Sequence, residues 1–149
     1  MKKTFKGRPV VAGAAIGEAV VSKQGFNILA SLQRDIMGKK PEVRCSDQNN
    51  PDIFNQVISG KVLCLPKTIG STTGGMILQA AAALGVAPLA LLFAEPIDSL
   101  AAGGVILAKV WNDRDIVTVD GLGDEFLAAV KNGCAVSITP DGAVTIETP

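Results

Sequence analysis

The most informative stretch of the chain is Val62-Leu-Cys-Leu-Pro-Lys-Thr-Ile-Gly-Ser-Thr-Thr-Gly-Gly75. Its first four residues are an apolar run bounded by Gly60 and Pro66, the pattern of a short strand buried on both faces. Gly70-Ser71-Thr72-Thr73-Gly74 then opens an alanine-rich run that favours helix. Up to four backbone amides at a helix start lack intrahelical partners. Together with three adjacent hydroxyls and the positive end of the helix dipole, they favour an anion at this point, and the glycines let backbone approach it closely. The same residues also read as a plain helix start, with Ser71, Thr72 or Thr73 as N-cap and the glycines shaping a loop. On the residues alone both readings stand. The segment is not a Walker A loop, because no lysine follows the second glycine, and a nucleotide triphosphatase is not expected.

Ser71 cannot serve as a base unaided. A helix terminus stabilises a nearby charge by about 0.3 to 2 kcal/mol, and about 1.4 kcal/mol moves a pKa by one unit, so an aliphatic hydroxyl stays far above neutrality. Further cations or a metal-activated substrate must come from elsewhere. Lys67 is near in sequence, while Arg8, Arg34 and Arg44 have no evident place, so the chain offers only part of a site and points to a partner.

The composition narrows the rest. A chain of 149 residues with 48% apolar and 19% charged side chains fits one globular domain spanning 1–149. Lys plus Arg equals Asp plus Glu at 14 each, so no net field draws it to nucleic acid or an acidic membrane. There is no histidine, which excludes Ser-His-Asp, Cys-His and His-ligated zinc chemistry within the chain. The basic start Met1 to Arg8 is followed by a short apolar stretch broken at Gly13, which lacks a signal-peptide core, and Cys45, Cys64 and Cys134 are an odd, widely spaced set. Both features predict a cytoplasmic protein without disulfides.

Around the central segment the expected elements are mostly β. Arg8 to Gly13 and Gly17 to Ser22 read as two valine-rich strands. Gly25 to Asn55 carries turn and loop chemistry in Gly38-Lys-Lys-Pro41 and Ser46-Asp-Gln-Asn-Asn-Pro51, and is expected to be mobile surface. A helix over Gly74 to Leu84 ends at Gly85 and Pro88, which also divide the apolar stretch Met76 to Ala94 into pieces too short for a membrane span. Leu89 to Phe93 is a second buried strand, Asp98 can cap a helix toward Trp111, Ile116 to Val119 is a β-branched strand, and a short helix spans Phe126 to Lys131. Cys134 to Ile138 and Ala143 to Ile146 flank Thr139-Pro-Asp-Gly142 as a hairpin. The sum is an α/β domain with a mixed sheet or barrel-like core and flanking helices. Asp113, Asp115, Asp120, Asp124 and Glu125 read as turn and cap residues rather than a metal site, and Trp111 as core or subunit interface.

At the central segment the sequence resembles the swivel domain of the aconitase X family, a swivelling β/β/α domain whose members run from a strand through Gly-Ser, then Ser or Thr, then Thr-Gly, into a helix. Ile58 to Pro66 resembles the family's entry strand, Gly70 to Gly74 its serine loop, Ala87-Pro88 and Glu95-Pro-Ile97 its next shared stretch, and Gly7-Arg8 through Val21-Ser22 its first strands. The resemblance implies a hydro-lyase in which a large subunit carries an iron–sulfur cluster and the small domain closes over the substrate. It implies Ser71 as the catalytic base, with Gly70, Thr72, Thr73 and Gly74 against the substrate and no metal ligand in this chain. The implied partners are a large aconitase X subunit and a small anionic or hydroxy-acid substrate, either a phosphorylated mevalonate or cis-3-hydroxy-L-proline. The family often has an arginine just before the Gly-Ser pair, where this chain has Ile69. A different reading is a stand-alone binding module that holds a carboxylate or phosphate at the helix start after Gly70 without chemistry.

Overall fold

Val62-Leu-Cys-Leu65 and Ala90-Leu-Leu-Phe93 carry no polar face, so they are stable only between two covering layers. A computed structural model, which describes residues 1–148, places them side by side in that position. They are β5 (Val62–Leu65) and β7 (Ala90–Phe93), paired in parallel at the centre of an eight-stranded mixed sheet. The other strands of that sheet are β1 (Lys2–Lys6), β2 (Arg8–Val11), β3 (Ala15–Val21), β8 (Val117–Asp120), β9 (Ala135–Ile138) and β10 (Ala143–Glu147). The order is β1-β10-β9-β3-β5-β7-β8-β2. The run β3-β5-β7-β8 is parallel, and the pairs outside it are antiparallel.

The two edges of this sheet, β1 and β2, are consecutive in sequence and separated only by Gly7. One continuous segment therefore closes the sheet into a barrel-like core. Gly7 donates its amide to the Gly142 carbonyl at 2.9 Å. A Cβ on Gly7 would lie 2.6 Å from the Asp120 carbonyl oxygen, so the crossing tolerates only glycine.

Side-chain alternation along the central strands sorts the apolar residues into two cores. Val62, Cys64, Ala90, Leu92, Val117 and Val119 face the barrel interior, which is plugged by Phe126 and Leu127 of α4 (Asp124–Ala129). Leu63, Leu65, Leu91 and Phe93 face outward under α1 (Ile28–Met37), α2 (Gly74–Ala83) and α3 (Ser99–Asn112). The α2 and α3 axes approach closely because glycines meet at the crossing. A Cβ on Gly104 would sit 2.7 Å from the Gly75 carbonyl oxygen, and one on Gly75 would sit 2.5 Å from that of Leu100.

The segment expected to be mobile surface, Gly25 to Asn55, is instead part of the packed structure. Ile28, Leu32 and Ile36 repeat at the helical interval and bury α1, whose start is capped by Asn27 accepting the Ala30 amide at 3.0 Å. The following loop buries Val43, Cys45 and Ile53 and is pinned by paired bonds between Cys45 and the segment Asn55–Gln56. The start of the chain also differs from expectation, since Lys2–Lys6 is a strand that pairs with β10. The helices after Gly74 and Asp98, the strands at Leu89 and Ile116 and the final hairpin lie within two residues or so of their expected bounds.

Gly104→Ala should overpack the α2–α3 crossing and lower unfolding stability by about 1–3 kcal/mol. Gly103→Ala, with open space at its Cβ, should be neutral or stabilising by up to about 1 kcal/mol. Urea titration of the two variants checks the contrast.

Candidate functional site

Because β5, β7 and β8 run parallel, their carboxyl ends at Leu65, Phe93 and Asp120 share one edge of the sheet. Ligand sites in parallel α/β sheets gather at that edge, and here the loops leaving β5 and β7 build a cleft. The chain leaving β5 forms β6 (Thr68–Ile69), which pairs in parallel with β4 (Phe26–Asn27). The loop Gly70–Thr73 follows and leads into α2. Gly70 has φ +96, and a Cβ there would lie 2.3 Å from the Asn27 side-chain nitrogen, so only glycine makes this turn.

Ile28, Thr68, Ile69, Gly70, Ser71 and Gly74, with Asp98 and Leu100 at the start of α3, line a cleft of about 220 Å³. Ser71 is half-buried at its wall, and Thr72 and Thr73 are exposed. The Ser71 hydroxyl oxygen accepts the Thr73 amide at 3.1 Å and lies 2.7 Å from the Thr73 hydroxyl. Thr73 holds the N-cap position of α2, yet its side chain makes no capping bond. Gly74 is buried against Ile28.

Asp98 is the residue of this site that sequence reading took only as a cap. It does cap α3, with Oδ2 accepting the amides of Leu100 and Ala101 at 3.0 Å each. Its other oxygen accepts the Thr68 hydroxyl, which ties the base of the serine loop to α3. The signal for it was its place just after Glu95-Pro-Ile97. Among the described residues that line the cleft Asp98 is the one acidic or basic side chain, and Ile69 is half exposed there.

No lysine or arginine is among the described residues that line the cleft. Arg34 bonds Asp35 on α1, and Arg44 reaches the carbonyl of Asn55. Lys67 is exposed in the turn before β6. Arg8 sits on the same sheet edge, donating to both oxygens of the buried Asp120 at 2.9 and 2.6 Å. Asp120 also accepts the Ile97 amide at 2.7 Å, so the ion pair buttresses the segment that carries Asp98. Burial pushes the Asp120 carboxyl up, but the bonded Arg8 guanidinium and the Ile97 amide outweigh this and hold it below the ordinary carboxylate range.

The cysteines do not fit an iron–sulfur cluster in this chain. Cys45, expected in a loop, is buried in the helix-side core, while Cys64 and Cys134 are buried in the barrel interior. Burial pushes the Cys45 and Cys64 thiols up, away from the thiolate form that ligates iron. Among the described residues no three His, Cys, Asp or Glu side chains are placed to hold a metal. The acidic residues from Asp113 to Glu125 act as a left-handed helix end at Asp113, partners of Lys109 and Arg8, and the first turn of α4. Trp111 is 70% exposed and is not core. No helix among the described residues is long and apolar enough to cross a membrane.

Residues 4–147 match the Aconitase X swivel domain. The chain belongs to that family. Two relatives that this swivel domain resembles are phosphomevalonate dehydratase small subunits. That of Thermococcus kodakarensis is 32% identical, with 92% of this chain and 90% of the relative covered. That of Thermococcus onnurineus is 33% identical, with 96% and 98% covered. The crystal structure of Thermococcus kodakaraensis aconitase X in its holo form is similar at a TM-score of 0.81 and 30% identity, covering 98% of this chain and 99% of that one. The mixed-sheet swivel fold expected from the sequence is the fold observed.

Lowering the pH should erase the contribution of the Arg8–Asp120 pair. The depressed Asp120 pKa means that its stabilisation is present above the unfolded carboxylate value, about 4, and is lost as pH falls through the folded value. The stability gap between wild type and Asp120→Asn, measured by denaturant unfolding, should be full at pH 7 and narrow below about pH 4.

Proposed function

We propose that this chain is the small subunit of a two-subunit hydro-lyase, and that it closes over a substrate held by a large aconitase X subunit. The observation that carries the reading is the Ser71 hydroxyl, held by a backbone amide in a cleft at the carboxyl edge of the parallel strands. The names of the relatives support phosphomevalonate, rather than cis-3-hydroxy-L-proline, as the substrate.

In this reading Ser71, as its alkoxide, takes a proton from the carbon next to the one that bears the leaving hydroxyl and becomes the neutral hydroxyl. The C–H electron pair forms the double bond, the leaving group departs with its bonding pair as hydroxide, and the proton that Ser71 gains is passed on to make water. Gly70, Thr72 and Gly74 contact the substrate as the domain closes and excludes water, while Thr73 contacts Ser71 itself. The iron–sulfur cluster belongs to the large subunit, since the three cysteines here do not fit one. Acidic Asp98 lines the cleft and no lysine or arginine does, so the anionic groups of the substrate are met mainly by the partner. The same carboxylate counts against a stand-alone module that holds an anion in this cleft.

The chain should be inactive alone and should turn over phosphomevalonate anaerobically once joined by the large subunit from the same organism. Ser71→Ala should leave the complex assembled on gel filtration and lower kcat by at least about a thousandfold, a loss comparable to removal of a general base with its positioned donors. Full turnover by Ser71→Ala, or none by the wild-type pair, contradicts the reading.

A further inference from the structure

Resting on that reading, we infer that Thr73 is a positioning residue whose hydroxyl and amide together hold Ser71 in its proton-accepting form. A serine hydroxyl has one donor and two acceptor sites. The Thr73 amide occupies one acceptor site at 3.1 Å, and the two hydroxyl oxygens lie 2.7 Å apart. With Ser71 protonated, the contact between the hydroxyls can run either way. Once Ser71 loses its proton only one direction is left, Thr73 donating to Ser71, and the bond becomes a charge-assisted one. Hydrogen bonds made to the charged form lower a pKa.

The local structure has freed this hydroxyl for the task. Thr73 stands at the N-cap of α2, where a threonine oxygen ordinarily accepts an amide of the first turn, yet it makes no such bond. The need for the donors follows from the charges around the cleft. The element α1 contributes Ile28, β6 contributes Thr68 and Ile69, α2 contributes Gly74, and α3 contributes Asp98 and Leu100. Among these residues Asp98 is acidic and none is basic, so what this chain itself offers an alkoxide is neutral donors. Thr73 supplies two of them within one residue.

The test uses the two-subunit complex and the pH dependence of kcat. Thr73→Val keeps the shape and the amide but removes the hydroxyl, while Thr73→Ser keeps both donors. Thr73→Val should lower kcat by roughly tenfold to a hundredfold with KM within about threefold, and move the rising limb of the pH profile up by about one unit. Thr73→Ser should return both to the wild-type values. Unchanged kcat and pH profile in Thr73→Val overturn the inference, and so does equal impairment of both variants without a pH shift, which marks a structural role. These outcomes leave the hydro-lyase reading intact if Ser71→Ala is inactive. An active Ser71→Ala complex, or an inactive wild-type complex, instead removes the reading and this inference with it.

Discussion

The serine loop is clamped between two helix starts, and the site depends on that clamp. Asn27 caps α1 with its side-chain oxygen while its amide lies against the glycine-only turn at Gly70. Asp98 caps α3 with one oxygen and accepts the Thr68 hydroxyl with the other. Asp98 thus fixes a helix and the base of the loop with one side chain, while Asn27 fixes a helix and packs against the same end of the loop. Both anchors lie at the start of the loop, whose four residues Gly70–Thr73 run straight into α2, and a loop this short has little conformational freedom left to lose on closing over a substrate.

The clamp rests on helices that are themselves closely packed. The α2–α3 crossing is set by the backbone contact of Gly75 with Gly104, and the sheet beneath is closed through Gly7, where β1 turns into β2. Arg8, the next residue, satisfies the buried Asp120, which in turn holds the Ile97 amide beside Asp98. Barrel closure is therefore coupled to the wall of the cleft through one ion pair and one backbone bond. This arrangement suits the rigid-body closure proposed above, because the edge that carries the cleft is braced from the sheet.

Much of this was legible in the residues. Buried strands declared themselves as unbroken apolar runs at Val62 and Ala90, and Gly85, Pro88 and Asp98 marked helix ends by backbone chemistry that tertiary context does not override. The helix at Ile28–Met37 was hidden because turn-rich segments on its C-terminal side dominated the composition, although Ile28, Leu32 and Ile36 already stood at helical spacing. Cys45 looked like a loop cysteine for the same reason, since burial of a loop depends on what packs over it. At the site, Ser71 was visible from its motif, but Asp98 was not, because only the folded chain brings a residue of the β7–α3 loop against one of the β5–α2 loop. The absence of histidine narrowed any chemistry within the chain to hydroxyls, carboxylates, Lys, Arg, Cys or backbone amides.

The central claim is that Ser71 is presented to a substrate held on another subunit. The most direct measurement is a crystal structure of this chain bound to its large subunit with an unreactive phosphomevalonate analogue. The account predicts the Ser71 hydroxyl oxygen within about 3–3.5 Å of the carbon that loses its proton, with the cleft facing the partner. A complex in which the cleft faces solvent, or in which another side chain occupies that position, would contradict it.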